Sequence, residues 1–165
     1  MTRLTHIATS LLAVLLLGLV ACSDNSCYEN GSSLPLATLY MGNSQQDISG
    51  LSVMGIGVPG DSLLVNSTAV DEVYLPLRAS TTTTSFALWH TVSIDTTNVV
   101  VRDTLTIDYK AIPYFESDEC GAMYNFDIQQ VTHTVHGIDS VVVLNTLITN
   151  ARTPSMRIYF TDFSQ

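Results

Sequence analysis

Positively charged residues are scarce in this sequence, with six Lys and Arg against 15 Asp and Glu and a formal net charge of −9. Proteins hold the phosphate backbone of nucleic acids and the anionic headgroups of lipids largely through Lys and Arg. The acidic residues are scattered and form no block of like charge, which is typical of an ordinary solvated surface. We therefore expect no nucleic-acid partner and no electrostatic attachment to a membrane.

Catalytic motifs are also lacking, since the chain has no GxSxG turn, Walker loop, HExxH pair or glycine-rich strand-to-helix turn. The HTVH segment holds His133 and His136, but residues three apart on a strand face opposite ways, so a shared metal is not expected. The acidic turn 116–120 lacks the ligand spacing and the glycine of a calcium loop. We predict no enzyme, no metal and no cofactor, with a carboxylate pair that meets only in space as the open exception.

A long apolar run occurs only at the start, over residues 7–20, and Arg3 is the one basic residue before it. A membrane-spanning helix needs about 20 apolar residues, whereas a basic start and a short apolar run ending in a small residue are typical of a cleavable export signal. Removal of residues 1–21 leaves 144 residues, five of them basic and 15 acidic, with a formal charge of −10. That length predicts one domain.

The end of this signal, Leu-Val-Ala followed by Cys22, resembles the lipobox of bacterial lipoproteins. There the cysteine thiol receives a diacylglycerol and becomes the first residue of the mature chain. Each buried methylene of the acyl chains contributes about 0.8 kcal/mol, and two lipid signals suffice for stable attachment. The alternative is an ordinary secretory signal with a chance cysteine. The lipobox favours a lipid-anchored protein of the cell envelope, attached to the outer membrane on its periplasmic or surface face.

Cysteine is rare, with three in the chain. If Cys22 carries lipid, then Cys27 and Cys120 remain in an oxidising compartment with only each other, which predicts a disulfide between them. The bond would close a loop of roughly 90 residues and add about 4 kcal/mol of stability on chain entropy alone. A zinc site is not favoured, because the spacing of Cys22 and Cys27 has no third or fourth partner.

After the signal the chain lacks a convincing helical period and alternates with period two. In four segments one face is apolar: Leu105, Ile107 and Tyr109; Tyr124, Phe126 and Ile128; Met156, Ile158 and Phe160; Val73, Leu75 and Leu77. Short strands between frequent turn residues predict an all-β fold, an antiparallel two-sheet sandwich of Ig-like or related type, over residues 34–165. Residues 22–33 are small and polar and predict a flexible tether.

Two local features refine this prediction. Pro76 is expected at a sheet edge or a bulge, because proline cannot donate to a strand ladder. The STTTTS run at 80–85 is expected in a loop or on an exposed edge.

Several stretches together resemble a family of uncharacterised lipoproteins from Bacteroidales. They are the lipobox with Cys27, then GIGVPGDSLLVN at 55–66, YLPLR at 74–78, DTLTIDYK at 103–110 and DECG at 118–121. The resemblance implies an envelope location and a β-sandwich-like domain. It implies no assigned function and provides no catalytic residues.

Four Asp-Ser or Asp-Thr pairs resemble the O-glycosylation sequence of Bacteroidetes envelope proteins, with Ser62, Thr96, Thr104 and Ser140 as candidate acceptors. The same pairs are equally typical of a turn acid followed by the first residue of a strand. Both interpretations stay open at the level of sequence.

The aromatic residues give the remaining indication of function. Stacking platforms for sugars and anchors for protein partners use Trp and Tyr, although such residues more often belong to the core. The candidates are Trp89 and five tyrosines: Tyr28, Tyr40, Tyr74, Tyr114 and Tyr159. We expect a non-enzymatic binding or assembly module held at the membrane by lipid, whose partner is an envelope protein or a glycan. The alternative is a carbohydrate-binding accessory of a glycan-uptake system.

Overall fold

The computed structural model describes residues 33–57, 63–117 and 121–163. In these ranges all regular secondary structure is β. No helix among the described residues is long and apolar enough to cross a membrane. The strands are β1 (Leu36–Met41), β2 (Ser44–Gln45), β3 (Ile48–Gly55), β4 (Leu63–Val70), β5 (Glu72–Tyr74), β6 (Thr83–Ile94), β7 (Thr97–Ser117), β8 (Gly121–His133), β9 (Ile138–Val143), β10 (Leu147–Ile148) and β11 (Pro154–Phe160).

These strands form two sheets that enclose one core. The five-stranded sheet has the order β2-β1-β11-β9, with β5 also paired to β1, and the six-stranded sheet has the order β10-β8-β7-β6-β3-β4. The predicted all-β, two-sheet architecture is confirmed. One ladder, between β1 and β11, is parallel, and the other ladders between described strands are antiparallel.

The core contains most of the apolar residues that alternation predicted, but Tyr124 of β8 is 41% exposed and lies beyond the core, unlike Phe126 and Ile128 on the same strand face. Leu105, Ile107 and Tyr109 of β7 are at most 1% exposed, whereas Lys110 on the opposite face is exposed. Met156, Ile158 and Phe160 of β11 are buried in the same way from the facing sheet. Each fully buried large apolar side chain contributes about 1.5–3 kcal/mol relative to leaving it in water.

The hairpin between β6 and β7 turns at Asp95 and Thr96, whose φ angles are 47° and 71°. Two consecutive positive φ values are those of a two-residue turn that matches the twist of the flanking strands. Thr97 pairs with Ile94 across the hairpin, so the turn consists of Asp95 and Thr96 alone. Asp tolerates the left-handed region better than most residues, which explains the position of the turn.

The prediction for residues 80–85 is wrong over its second half. A loop reaches Thr82, and Thr83 begins β6, an interior strand of the six-stranded sheet. Thr84 is buried because its hydroxyl lies 2.7 Å from the Tyr109 hydroxyl, which satisfies it within the core. Pro76 follows β5, a three-residue edge strand that ends at Tyr74.

The hairpin of β7 and β8 extends beyond the rest of its sheet. The last pair between β6 and β7 is Thr83 with Asp108, and from Ile112 onward β7 pairs with β8 alone among the described strands. We call this two-stranded extension, residues 112–117 and 121–125, the β7–β8 arm. At its base the Ser33 hydroxyl donates a hydrogen bond to Asn125 Oδ1 at 3.0 Å. The N-terminal part of the chain therefore joins the sandwich beside the arm.

Candidate binding site

The outer surface of the five-stranded sheet carries a group of half-buried and exposed aromatic, basic and apolar side chains. Tyr40 of β1 and Tyr159 of β11 are register neighbours, with ring centroids 5.1 Å apart and planes inclined by 39°. The Arg157 guanidinium lies 5.3 Å from the Tyr40 ring centroid. Tyr74 on β5 and Val142 on β9 are 37% and 45% exposed. We call these five residues the tyrosine–arginine face.

Strand alternation explains why these side chains point outward. In β11, Met156 and Ile158 are buried in the core, so the intervening Arg157 and the following Tyr159 lie on the outer surface. In β1, Leu39 is fully buried and Tyr40 takes the opposite face. The parallel ladder then sets the two tyrosines side by side.

The tyrosine–arginine face carries a positive charge on a domain that is acidic as a whole. A hydrogen bond with Tyr159 and the nearby Tyr40 raise the pKa of Arg157 above its ordinary value. Beside the face, Arg152 Nη2 lies 2.7 Å from Glu72 Oε1, and this hydrogen bond raises the pKa of Arg152. Arg157 has no carboxylate partner among the described residues. Its charge therefore remains available to an acidic group on a partner.

The other predicted aromatics lie elsewhere. Trp89 lies on the six-stranded sheet, where the Arg102 guanidinium lies 4.5 Å from its ring centroid. Tyr114 belongs to the β7–β8 arm, and Tyr28 lies outside the described residues. Three of the six candidates thus share one face. No local pattern of the sequence predicts this grouping, because it depends on the pairing of the first described strand with the last.

A second unusual feature is the buried carboxylate of Asp103, which is 3% exposed. It accepts hydrogen bonds from the Thr134 hydroxyl at 2.6 Å and from the backbone N–H groups of His136, Gly137 and Ile138 at 2.8, 2.6 and 2.8 Å. His136 Nδ1 lies 3.2 Å away. One side chain therefore holds the whole turn between β8 and β9.

The hydrogen bonds keep Asp103 ionised inside the protein. Burial acts to raise its pKa, but the bonds from Thr134, His136, Gly137 and Ile138 outweigh burial, and the pKa lies below its ordinary value. Gly137 is required for close approach, because a Cβ there would lie 2.8 Å from Val101 Cγ2. This arrangement has a structural role, since the carboxylate has several donors and is closed to solvent.

His90 lies near Asp103 at the same end of the core and is 4% exposed. Its ring packs edge-on against Phe160 at a centroid distance of 5.3 Å, and neither ring nitrogen has a hydrogen-bond partner in the described part of the chain. Burial lowers the pKa of His90, and Asp103 opposes this effect. His90 also lines an open cavity of about 270 Å³ between β3, the end of β6 and the segment after β11. The ring is therefore neutral at physiological pH.

The two histidines of HTVH meet different groups. His133 ends β8, and its Nδ1 lies 2.8 Å from the Thr134 carbonyl oxygen. His136 lies in the turn rather than on a strand and contacts Asp103. Within the described ranges no cluster of three or more His, Cys, Asp or Glu could hold a metal ion. Asp118, Glu119 and the side chain of Glu116 lie outside those ranges.

The candidate glycosylation residues differ in accessibility. Thr96 is exposed at the β6–β7 turn, and Ser140 lies on the edge strand β9, where its hydroxyl donates to the exposed Asp139 at 3.1 Å. Thr104 lies on the interior strand β7 directly after the buried Asp103. Three further predicted sites, Ser62, Cys22 and the pair Cys27 and Cys120, lie outside the described residues.

The two packed sheets, with β-strands as the regular secondary structure of the described residues, define a β-sandwich domain. Residues 50–160 match a protein family, and this chain belongs to DUF6452, a family of unknown function. The comparisons with curated proteins and with solved structures gave no match. The predicted membership of an uncharacterised family is confirmed, while lipidation and an origin in Bacteroidales stay predictions.

Proposed function

We propose that this protein is a non-enzymatic, lipid-anchored module of the cell envelope that binds a partner protein through the tyrosine–arginine face. The observation that carries the proposal is the grouping of Tyr40, Tyr159 and Arg157, all half-buried, on the outer surface of one sheet. Tyr and Arg are the residues most enriched in the energetic centres of protein interfaces. The positive charge of Arg157 favours a partner with an acidic patch. The acidic residues on the rest of the domain would repel such a patch, so it would bind at the tyrosine–arginine face.

Lipid attachment at Cys22 would keep the domain near partners in the same membrane. Eleven residues separate Cys22 from Ser33, so a fully extended tether reaches about 40 Å from the sandwich. Confinement within this radius raises the effective concentration of any partner at the membrane surface. The proposed location is the outer membrane, on its periplasmic or surface face.

The contact between Ser33 and Asn125 supports the proposed disulfide. Cys27 precedes Ser33 by six residues and Cys120 precedes Asn125 by five. These segments can span about 20 Å and 17 Å, so both cysteines can come within bonding distance without any change in the described residues. The disulfide would join the tether to the residue that precedes β8 in sequence.

Cys22→Ala is expected to release the protein from membranes, because the acyl chains have no other attachment point. Cell fractionation and intact-mass measurement of the native product test this. Cys27→Ser is the matched variant, expected to stay membrane-bound and acylated while losing thermal stability through the missing disulfide. A Cys22→Ala protein that stays in the membrane fraction would exclude the lipid anchor.

A photocrosslinker at position 142 is expected to capture the partner in living cells, because Val142 lies next to Arg157 on the tyrosine–arginine face. Arg157→Ala should reduce the crosslinked product about tenfold or more, as expected for a residue at the centre of an interface. The matched controls are a crosslinker at the exposed Val100 and the variant Arg102→Ala, which removes the arginine stacked on Trp89. Equal capture from positions 142 and 100 would contradict the assigned face.

The second candidate function is carbohydrate binding in a glycan-uptake system, and the sharing of one face by Tyr40, Tyr74 and Tyr159 favours it. Sugars stack their apolar faces on exposed tyrosine rings. A glycan array probed with the purified mature domain separates the two candidates. Binding that is lost in Tyr159→Ala would favour the carbohydrate function, and an array without signal would remove it.

A further inference from the structure

The β7–β8 arm presents apolar side chains to solvent. Phe115 is 66% exposed, and Ile112 and Tyr124 are each 41% exposed. Pro113, the register partner of Tyr124, is also exposed. The arm has no neighbouring strand among the described residues, so these side chains are not part of the core. A protein that leaves large apolar residues together at one end usually covers them with a partner.

The position of the arm in the sequence relative to the proposed lipid anchor at Cys22 indicates that the partner is the membrane itself. Cys120 immediately precedes in sequence Gly121, the first residue of β8 and of the second strand of the arm. If Cys27 is bonded to Cys120, the residue before β8 is joined to a cysteine that follows the lipidated Cys22 by only five positions. Five extended residues span at most about 18 Å. The disulfide would then keep this end of the arm close to the membrane. The path of the remaining tether residues would not change this.

The composition of the arm suits the membrane interface. Aromatic and aliphatic side chains are stable at the headgroup boundary, where tyrosine keeps its hydroxyl in the polar layer and buries its ring. Glu116, Asp118 and Glu119 follow Phe115 in sequence, so anionic lipids would be repelled and zwitterionic headgroups are the appropriate surface. Apolar contacts with the lipid, rather than electrostatic attraction to the headgroups, would therefore hold the arm at the membrane.

We propose that the β7–β8 arm is a membrane-contacting element that inserts Phe115 and Tyr124, which share one face of the arm, into the interface of a zwitterionic phospholipid surface. This inference rests on the proposed anchor at Cys22 and on the disulfide. The arm fixes the orientation of the sandwich, because β8 runs 13 residues from the arm to His133 at the far end. That end stands about 40 Å away from the arm tip.

Fluorescence quenching by brominated lipids tests this orientation. The acylated protein is reconstituted in phosphatidylcholine vesicles with brominated chains, in a Trp89→Phe background that removes the one native tryptophan. Phe115→Trp reports on the arm. Val135→Trp is the matched control, since Val135 is 73% exposed and follows the opposite end of β8. Insertion by about 5–10 Å should reduce the emission from position 115 to about half or less and leave position 135 unchanged.

Cys27→Ser adds a second readout. Without the disulfide the tether lengthens to eleven residues, so quenching at position 115 should decrease while acylation persists. An acylated protein in which positions 115 and 135 are quenched equally would overturn the membrane-contacting arm and leave the anchor intact. Mass measurement that finds no acyl group on Cys22 would overturn the anchor and this inference together.

Discussion

Asp103→Asn is expected to lower the free energy of unfolding by about 3–5 kcal/mol, as when one partner of a buried charged group is removed. The asparagine amide has the same shape but one acceptor oxygen fewer. Its NH₂ group would face either the N–H groups of Gly137 and Ile138 or the donors of Thr134 and His136. Either orientation leaves buried donors without acceptors, each of which costs about 1–3 kcal/mol.

Urea unfolding at pH 7 measures this loss, and Asp139→Asn provides the control. Asp139 lies on β9 just after the same turn but is exposed, so its substitution should change stability by no more than about 0.5 kcal/mol. Since a domain has only about 5–15 kcal/mol of total stability, Asp103→Asn should unfold a measurable fraction of the protein at 37 °C. Equal stability of the two variants would show that the Asp103 network contributes little.

The same variant should change the acid sensitivity of the fold. The folded-state pKa of Asp103 lies below its ordinary 3.8, so its stabilisation is fully present above about pH 4 and is lost as the pH falls further. Burial lowers the pKa of His90 below 6.5, so the unfolded chain binds that proton first and stability also falls as pH drops below about 6.5. When the free energy of unfolding in urea is measured as a function of pH, Asp103→Asn should remove the loss of stability that occurs below about pH 4.

Tyr109→Phe is expected to destabilise the domain by about 2–3 kcal/mol although it removes one oxygen atom. The Tyr109 hydroxyl donates to the Arg78 carbonyl at 2.9 Å, accepts from the Arg78 N–H at 3.0 Å, and lies 2.7 Å from the Thr84 hydroxyl. Thr84 is 3% exposed, so losing its partner costs more than the net value of one hydrogen bond. The ring itself should stay edge-on to Phe126, at 5.3 Å between centroids.

Tyr40→Phe is the matched control for Tyr109→Phe. It removes the same hydroxyl from a half-buried ring on the tyrosine–arginine face, and we expect a change below about 0.5 kcal/mol. Thermal and urea unfolding of both variants give the comparison. Similar small losses would mean that water replaces the Tyr109 hydroxyl without cost and that the loop at Arg78 is not held from the core.

The alternation of the strands predicts the burial of Asp103 and His90, although no motif in the sequence indicates it. Asp103 has the same parity along β7 as Leu105 and Ile107, and His90 has the same parity along β6 as Leu88. Alternation alone therefore predicts that both polar side chains face inward. The Asp-Thr motif pointed instead to a turn or a modified surface residue, because a buried carboxylate is improbable until its donors are known. Those donors come from 31 to 35 residues later in the chain.

The sequence by itself determined which residues form strands and which face of each strand enters the core, as for Leu105, Ile107 and Tyr109 or Met156, Ile158 and Phe160. This is local information, because successive side chains of a strand point to opposite sides whatever the strand pairs with. Only the tertiary structure decided that β1 lies parallel to β11, which brings Tyr40 beside Tyr159, and that the arm stands beside Ser33. Such pairings depend on the packing of segments more than 90 residues apart, and no local period of the sequence specifies them.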